Sequence, residues 1–270
     1  MDFMLNGKRA FVTGASSGLG AATAKMLASE GVTVIVNGRN EKRAQETIDE
    51  IEAAGGKAIP AIGDLTTDAE AARLAKIALD TLGGIDILVN NAGGALRGDD
   101  NPDWTDISPQ DYFDSFNINV VAGIRLAQAF VPGMVERGWG RVINISSTAA
   151  RQSLGALHDY GPAKAAIENW GLNLSKNVAK DGVTVNTIEP GMIFTAGSVE
   201  FLHTLANQMG WPDDMVEIQR RYATEVFPQS IERLGKPEEI AAAVTFIASP
   251  LSEYTTGATW RVDGGTSWAM

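Results

Sequence analysis

The strongest constraint on this chain is an alternation that runs almost to its end. Short apolar, β-rich runs take turns with longer stretches of helical periodicity. The pattern predicts strands over 8–13, 32–37, 57–62, 85–90, 141–146, 183–188 and 258–262. It predicts helices over 19–29, 41–54, 68–82, 159–180 and 237–248, and one long helix or two over 109–137. Helices between successive strands imply crossover connections and a parallel sheet covered on both faces. The expected fold is α/β, a doubly wound seven-stranded parallel sheet.

Nothing divides the chain. No repeat, low-complexity stretch or linker interrupts residues 1–270, so one domain is expected. A chain of this length can bury about three-quarters of its unfolded surface in one unit. Two segments break the rhythm. Residues 93–108 are polar and glycine-rich, a loop after the fourth strand. Residues 192–232 carry no strand signal and are too long for an ordinary connection. Their apolar pattern, Phe201, Leu202, Leu205 and Met209, then Met215, Ile218 and Tyr222, predicts two short amphipathic helices split near Gly210-Trp211-Pro212. A substrate lid at about 192–232 is expected, with a fixed packing element as the alternative.

Composition narrows the function. A net charge of −11 argues against a general nucleic-acid surface. An acidic chain that binds a phosphorylated ligand must do so with backbone dipoles and a few local cations. The absence of cysteine removes disulfides, thiolate metal sites and cysteine nucleophiles, and fits a reducing, cytoplasmic setting. Two histidines, His158 and His203, are too few for a histidine-based metal site, and no metal is expected. No secretory leader is visible, and no stretch approaches the eighteen apolar residues of a membrane span, so no membrane partner is expected.

Thr13-Gly14-Ala15-Ser16-Ser17-Gly18-Leu19-Gly20 follows the first strand and opens the first helix. Gly14 allows a sharp turn. Gly18 and Gly20 let backbone approach a pyrophosphate at the helix N-terminus, the arrangement of a Rossmann dinucleotide site. The second strand ends Val36-Asn37-Gly38-Arg39-Asn40. An NAD site places an acid there for the ribose 2′-hydroxyl, and Gly38 stands in its place. Arg39 follows, well shaped for a 2′-phosphate, with Lys42 and Arg43 close by. The glycine loop holds no second cation. The charge logic favours NADP, with NAD as the alternative; a solvated basic helix start is the plainer account.

Tyr160 and Lys164 are one helical turn apart, so phenol and ammonium share a face. A phenol normally titrates near ~10, and a neighbouring cation lowers that value. The pair suits general acid/base work, although the same spacing fits an ordinary amphipathic helix with its lysine in water. Ser147 follows the apolar run Arg141-Val142-Ile143-Asn144-Ile145, at a strand's carboxyl end, where open parallel sheets place their sites.

Taken with Asn90-Asn91-Ala92-Gly93, Pro190-Gly191, Arg233-Leu234-Gly235-Lys236-Pro237-Glu238-Glu239 and Val262-Asp263-Gly264-Gly265, these motifs resemble the short-chain dehydrogenase/reductase family and its 3-oxoacyl-reductase-like branch, from about Lys8 to Gly265. The resemblance implies hydride transfer between a nicotinamide and a ketone or secondary alcohol. Tyr160 would protonate the carbonyl oxygen. Lys164 would lower its pKa and hold the nicotinamide ribose. Ser147, with the family spacing that Ser146 lacks, would bind the substrate oxygen. Asn119 would hold a relay water; Asn117 is its rival, and the following Val120 favours Asn119. Asn91 would support the fourth strand and approach the adenosine ribose. Asp64 would contact adenine, unless it is a plain helix N-cap. Further cofactor contacts would come from Ser16, Ser17 and Leu19 in the glycine loop, from Leu65, Ala92 and Gly93, and from Pro190, Gly191, Ile193 and Thr195. Relatives form homotetramers by pairing the helices of 109–137 and 159–180, and by packing their last strands across a second axis.

The substrate pocket is expected near Leu96, Met192, Phe194, Leu202 and Trp211, with Trp268 and Met270 at a pocket or a neighbouring subunit. An apolar ketone or secondary alcohol is the broad substrate class, and a 3-oxoacyl thioester the specific alternative. A non-catalytic dinucleotide sensor would tolerate loss of Ser147, Tyr160 or Lys164, all of which are present. An epimerase of the longer related branch would need a larger C-terminal domain.

Overall fold

The computed structural model describes residues 2–96, 103–152 and 157–267. Trp268, Met270 and part of the loop expected over 93–108 lie outside the described residues. The strands are β1 (Arg9–Val12), β2 (Thr33–Gly38), β3 (Lys57–Ile62), β4 (Ile87–Asn90), β5 (Gly140–Ile145), β6 (Val183–Pro190) and β7 (Thr259–Val262). They form one sheet in the order β3-β2-β1-β4-β5-β6-β7, parallel throughout. Around it lie α1 (Gly18–Ser29), α2 (Glu41–Ala53), α3 (Asp68–Leu82), α4 (Pro109–Phe116), α5 (Ala122–Glu136), α6 (Tyr160–Val178), α7 (Val199–Met209), α8 (Met215–Arg221) and α9 (Pro237–Ala248).

Strand side chains alternate between two cores. Ala10 and Val12 of β1, Val34 and Val36 of β2, and Ile87 and Val89 of β4 meet Leu27 of α1, Ile48 of α2 and Val244 of α9. The intervening Phe11, Ile35 and Leu88 meet Leu74 of α3 and Leu126 and Phe130 of α5. Phe11 and Phe130 pack as a tilted pair with ring centroids 5.4 Å apart. The central strands β5 and β6 are buried at every position, as a sheet covered on both faces requires. Pro60 sits in β3, an edge strand, where its missing N–H costs no ladder bond.

The expected elements are present, with ends shifted by a few residues. Strand β4 starts at Ile87 rather than at 85; just before it the Asp86 carboxylate pairs with the Arg9 guanidinium, at 2.8 and 2.6 Å. The span expected as one helix or two is a single helix with a π turn, Asn117–Val121, between α4 and α5. That helix, Pro109–Glu136, is long and apolar enough to cross a membrane by length and composition, which corrects the sequence expectation. Its apolar face packs through Leu126, Phe130 and Met134 into the core.

Candidate active site

Strand order reverses at β1 and β4, so the loops leaving their carboxyl ends diverge and open a crevice. The two loops are laced together. Thr13 Oγ1 accepts from the backbone N–H groups of Asn91 (2.8 Å) and Ala92 (2.7 Å), and Asn91 Nδ2 donates to the Thr13 carbonyl (2.8 Å). Gly14 has φ +64°, and a Cβ there would stand 3.0 Å from Asn91 Nδ2. Gly20 has a packing role. A Cβ there would strike the Gly14 carbonyl and stand 2.5 Å from Asn91 Nδ2, so Gly20 also lets the turn pack on itself.

Helix α1 begins with its N–H groups available. Ser17, the N-cap, makes no side-chain capping bond, and the first turn holds no acid. Such an end attracts an anion. Leu19 is half-buried and packs against the core. Thr195 faces Gly18 across the crevice, its methyl 3.5 Å from where a Cβ would be.

The crevice is a cleft of about 1010 Å³. Gly14, Ser16 and Ser17 form one wall, Gly38, Arg39 and Arg43 the lip, and Asp64, Leu65, Asn91, Ala92 and Gly93 the far side. Arg39 and Arg43 are exposed. Lys42, expected beside them, does not line the cleft. Asp64 accepts from Thr66 N–H (2.9 Å), while Thr67 caps α3; Asp64 is therefore not the helix cap. An open helix N-terminus, a glycine cradle and two guanidinium groups at the lip fit a phosphorylated dinucleotide.

The catalytic candidates gather where β5 ends. Ser147 is extended, and its hydroxyl accepts from Ala149 N–H (3.2 Å) and is hydrogen-bonded to Tyr160. Ser146 turns away, donating to Glu168 Oε1 (2.7 Å) and the Lys164 carbonyl (3.2 Å). Tyr160 opens α6, and Lys164 lies one turn on, its Nζ 5.5 Å from the phenol ring centre. Lys164 is 3% exposed and donates to the Ile145 carbonyl at 2.8 Å. Burial lowers its pKa to about 8. Burial also pushes the Tyr160 phenol up, against a smaller downward pull from Ser147. The sequence expectation was a phenol lowered by Lys164. The direction is the reverse because loss of solvent penalises the phenolate more than the Ser147 hydrogen bond favours it.

Asn119 lies in the π turn, 5% exposed. Its side chain pairs both ways with Gly94, accepting from its N–H (2.9 Å) and donating to its carbonyl (3.1 Å), and donates to the Ser115 carbonyl (3.0 Å). A Cβ on Gly93 would collide with Asn119 Oδ1 and stand 3.4 Å from Lys164 Nζ, so these three residues meet. The rival Asn117 is tied instead to the Thr66 carbonyl (2.9 Å) and Arg125 (2.8 Å).

The floor beyond β6 is fixed by its neighbours. Gly191 N–H donates to the Val262 carbonyl (3.1 Å), and a Cβ there would stand 2.8 Å from Asp263 Cα. Ile193 bridges to Gly235, and its half-buried side chain packs against the core. The segment 192–232 holds α7 and α8, split at Gly210 as expected. Its apolar faces close on a small core of their own, with Leu202, Trp211 and Ile218 at the centre and Phe194, Phe201 and Tyr222 around them. Leu96 is exposed at the cleft edge.

Sequence reasoning passed over Arg151, Glu168 and Glu189. Glu168 continues the Tyr160–Lys164 spacing by one more turn, and Glu189 is a charge inside an apolar strand; both were signals.

Comparison with known proteins gives consistent relatives. A short chain dehydrogenase family model matches residues 8–205. The uncharacterized oxidoreductase YvaG of Bacillus subtilis is 37% identical, over 98% of each chain. The 3-oxoacyl-[acyl-carrier-protein] reductase FabG of Vibrio cholerae is 35% identical, over 97% of this chain and 98% of its own. The solved structure of L-sorbose reductase from Gluconobacter frateurii, complexed with NADPH and L-sorbose, superposes with a TM-score of 0.92 at 32% identity over the whole of both chains.

Proposed function

The chain belongs to the short-chain dehydrogenase family, and from that premise we propose that Tyr160 is its general acid/base, with Ser147, Lys164 and Asn119 as partners. The protein is an oxidoreductase that moves a hydride between a nicotinamide cofactor and a ketone or secondary alcohol. The observation that carries the assignment of roles is the meeting of the Ser147 hydroxyl, the Tyr160 phenol and a buried Lys164 ammonium at the end of β5.

A bound nicotinamide dinucleotide supplies the hydride, which no side chain can carry. The chain supplies the rest. Tyr160 donates its phenolic proton to the carbonyl oxygen in reduction and recovers it in oxidation. The Ser147 hydroxyl holds the same oxygen where charge develops. Lys164 Nζ spends one donor on Ile145 and keeps two for ribose hydroxyls and the phenolate. Asn119 fixes the Gly93-Gly94 turn against Lys164, beside the path a relay water would take.

NADP is the preferred cofactor in this reading, with NAD as the alternative. Gly38 stands where an NAD site needs an acid, and Arg39 and Arg43 line the lip. The substrate is an apolar ketone or secondary alcohol; a 3-oxoacyl thioester is the second reading, favoured by the likeness to the Vibrio reductase. We further propose one catalytic domain over 1–270 with a lid at about 192–232. In this reading it is a cytoplasmic homotetramer, testable by light scattering at micromolar concentration.

The test is NADPH oxidation against aliphatic ketones, cyclic ketones, ketoses and a 3-oxoacyl thioester, repeated with Tyr160→Phe. Loss of the acid should lower kcat by ~10²–10⁴ with little change in cofactor affinity. A variant that keeps more than a tenth of wild-type kcat would sink the assignment.

A further inference from the structure

Arg151, Glu168 and Glu189 have no part in the roles above, yet they enclose the segment that carries Ser147. Glu168 lies two turns beyond Tyr160 on α6, on the stripe that also holds Lys164. Its Oε1 accepts from Ser146 Oγ at 2.7 Å, and its Oε2 from Arg151 Nη2 at 3.1 Å. One carboxylate therefore grips both ends of the turn 146–151. Within the turn, Ala150 N–H donates to the Ser147 carbonyl (2.9 Å) and Arg151 N–H to the Thr148 carbonyl (3.1 Å), so the piece between the two grips is itself braced. Arg151 Nε also donates to Glu189 Oε2 at 2.9 Å. Glu189 is the residue before Pro190, at the end of β6, and is 0% exposed.

We infer that Glu168, acting with Arg151 and Glu189, positions the Ser147 hydroxyl relative to Tyr160, an inference that rests on the role proposed for Ser147. The geometry gives the reason. Tyr160, Lys164 and Glu168 ride on one helix, so a clamp from Glu168 to residues 146 and 151 sets the Ser147 hydroxyl in the same frame as the phenol. Arg151 then ties that frame to β6 and its Pro190-Gly191 exit. Electrostatics point the same way. Glu168 and Glu189 both bond the Arg151 guanidinium, and Glu189 is pushed up first by burial and then by Glu168, against the pull of Arg151 and Arg261. Apolar residues of similar volume would serve stability as well or better. A misplacement of 1 Å in a reacting group can cost about 10²-fold in rate.

A double-mutant cycle tests this. The rates of Glu168→Gln and Arg151→Met are measured in the wild type and in Ser147→Ala, using NADPH and the fastest carbonyl of the panel. In the wild type each should lower kcat about 10-fold or more, with NADPH affinity by fluorescence within about 2-fold. In the Ser147→Ala background the same changes should cost less than about 2-fold, because no hydroxyl is left to position. Arg151→Lys should recover part of the loss, since a point cation can satisfy one carboxylate but not fork between two. If Arg151→Met does not fold, as thermal melting and NADPH binding would reveal, Glu168→Gln carries the cycle. Equal losses in both backgrounds, or no loss in the wild type, overturn the inference while the proposed function stands. A fully active Ser147→Ala overturns the proposed function and this inference with it.

Discussion

Lys164→Met should make the protein more stable and inactive. Burial brings the Lys164 ammonium from 10.5 down to about 8. At about 1.4 kcal/mol for each tenfold change in proton affinity, the charged form carries a penalty of about 3 kcal/mol at neutral pH. Met has similar length and no charge. Its substitution removes that penalty and forfeits the hydrogen bond to the Ile145 carbonyl, worth about 1–1.5 kcal/mol. The expected net gain is about 2 kcal/mol, a rise of roughly 4–8 °C in melting temperature for a chain of this size. The sign has a signature in pH. A lysine whose folded pKa is depressed burdens the fold fully below about 8, and the burden lifts as pH rises from about 8 to 10.5. Over that window the unfolded chain still holds the proton that the folded one has shed. Melting followed by circular dichroism at pH 7 and pH 10 should show the variant ahead at the first and its lead shrinking at the second. A variant less stable than wild type at pH 7, or a lead that does not change with pH, would refute the reasoning.

Other outcomes follow from the same geometry. Because the Tyr160 phenol is pushed up, carbonyl reduction should hold its rate through neutral pH, while alcohol oxidation should climb with pH; a reduction rate that falls between pH 6 and 8 would contradict this. Gly38→Asp with Arg39→Ile should swing kcat/KM from NADPH towards NADH. The new Cβ would stand 2.7 Å from Ser16 Cβ, so the full swing should need Ser16→Gly as well; a wild type that already prefers NADH would end the argument. Hydrogen exchange over 192–232 should slow when cofactor and substrate analogue are bound together. Unchanged exchange there, with the 14–20 loop protected, would make the segment a fixed element held by its own core around Trp211.

Periodicity and motif spacing were enough for the sheet, because a strand alternates every residue and a helix turns every 3.6, and those periods are written locally. The glycine turn, the Tyr160–Lys164 face and Ser147 were legible for the same reason: each is a short-range arrangement. Even the split of 192–232 at Gly210-Trp211-Pro212 could be read from the chain. What the sequence could not decide was the use of each group. Gly18 and Gly20 look alike in a motif, but only packing against Asn91 reveals that Gly20 serves the turn. Asn117 and Asn119 are two residues apart, and the π turn sends one to Thr66 and Arg125 and the other to Gly94. The direction of the Tyr160 shift was lost to sequence because it depends on how much water is excluded, a property of the assembled site. The clamp on Ser147 joins residues 146, 151, 168 and 189, drawn from a strand end, a turn, a helix and a second strand end. Local chemistry fixed the elements and their candidate side chains; only tertiary packing decided which groups meet and which are desolvated, because contact and burial depend on residues far apart in the chain.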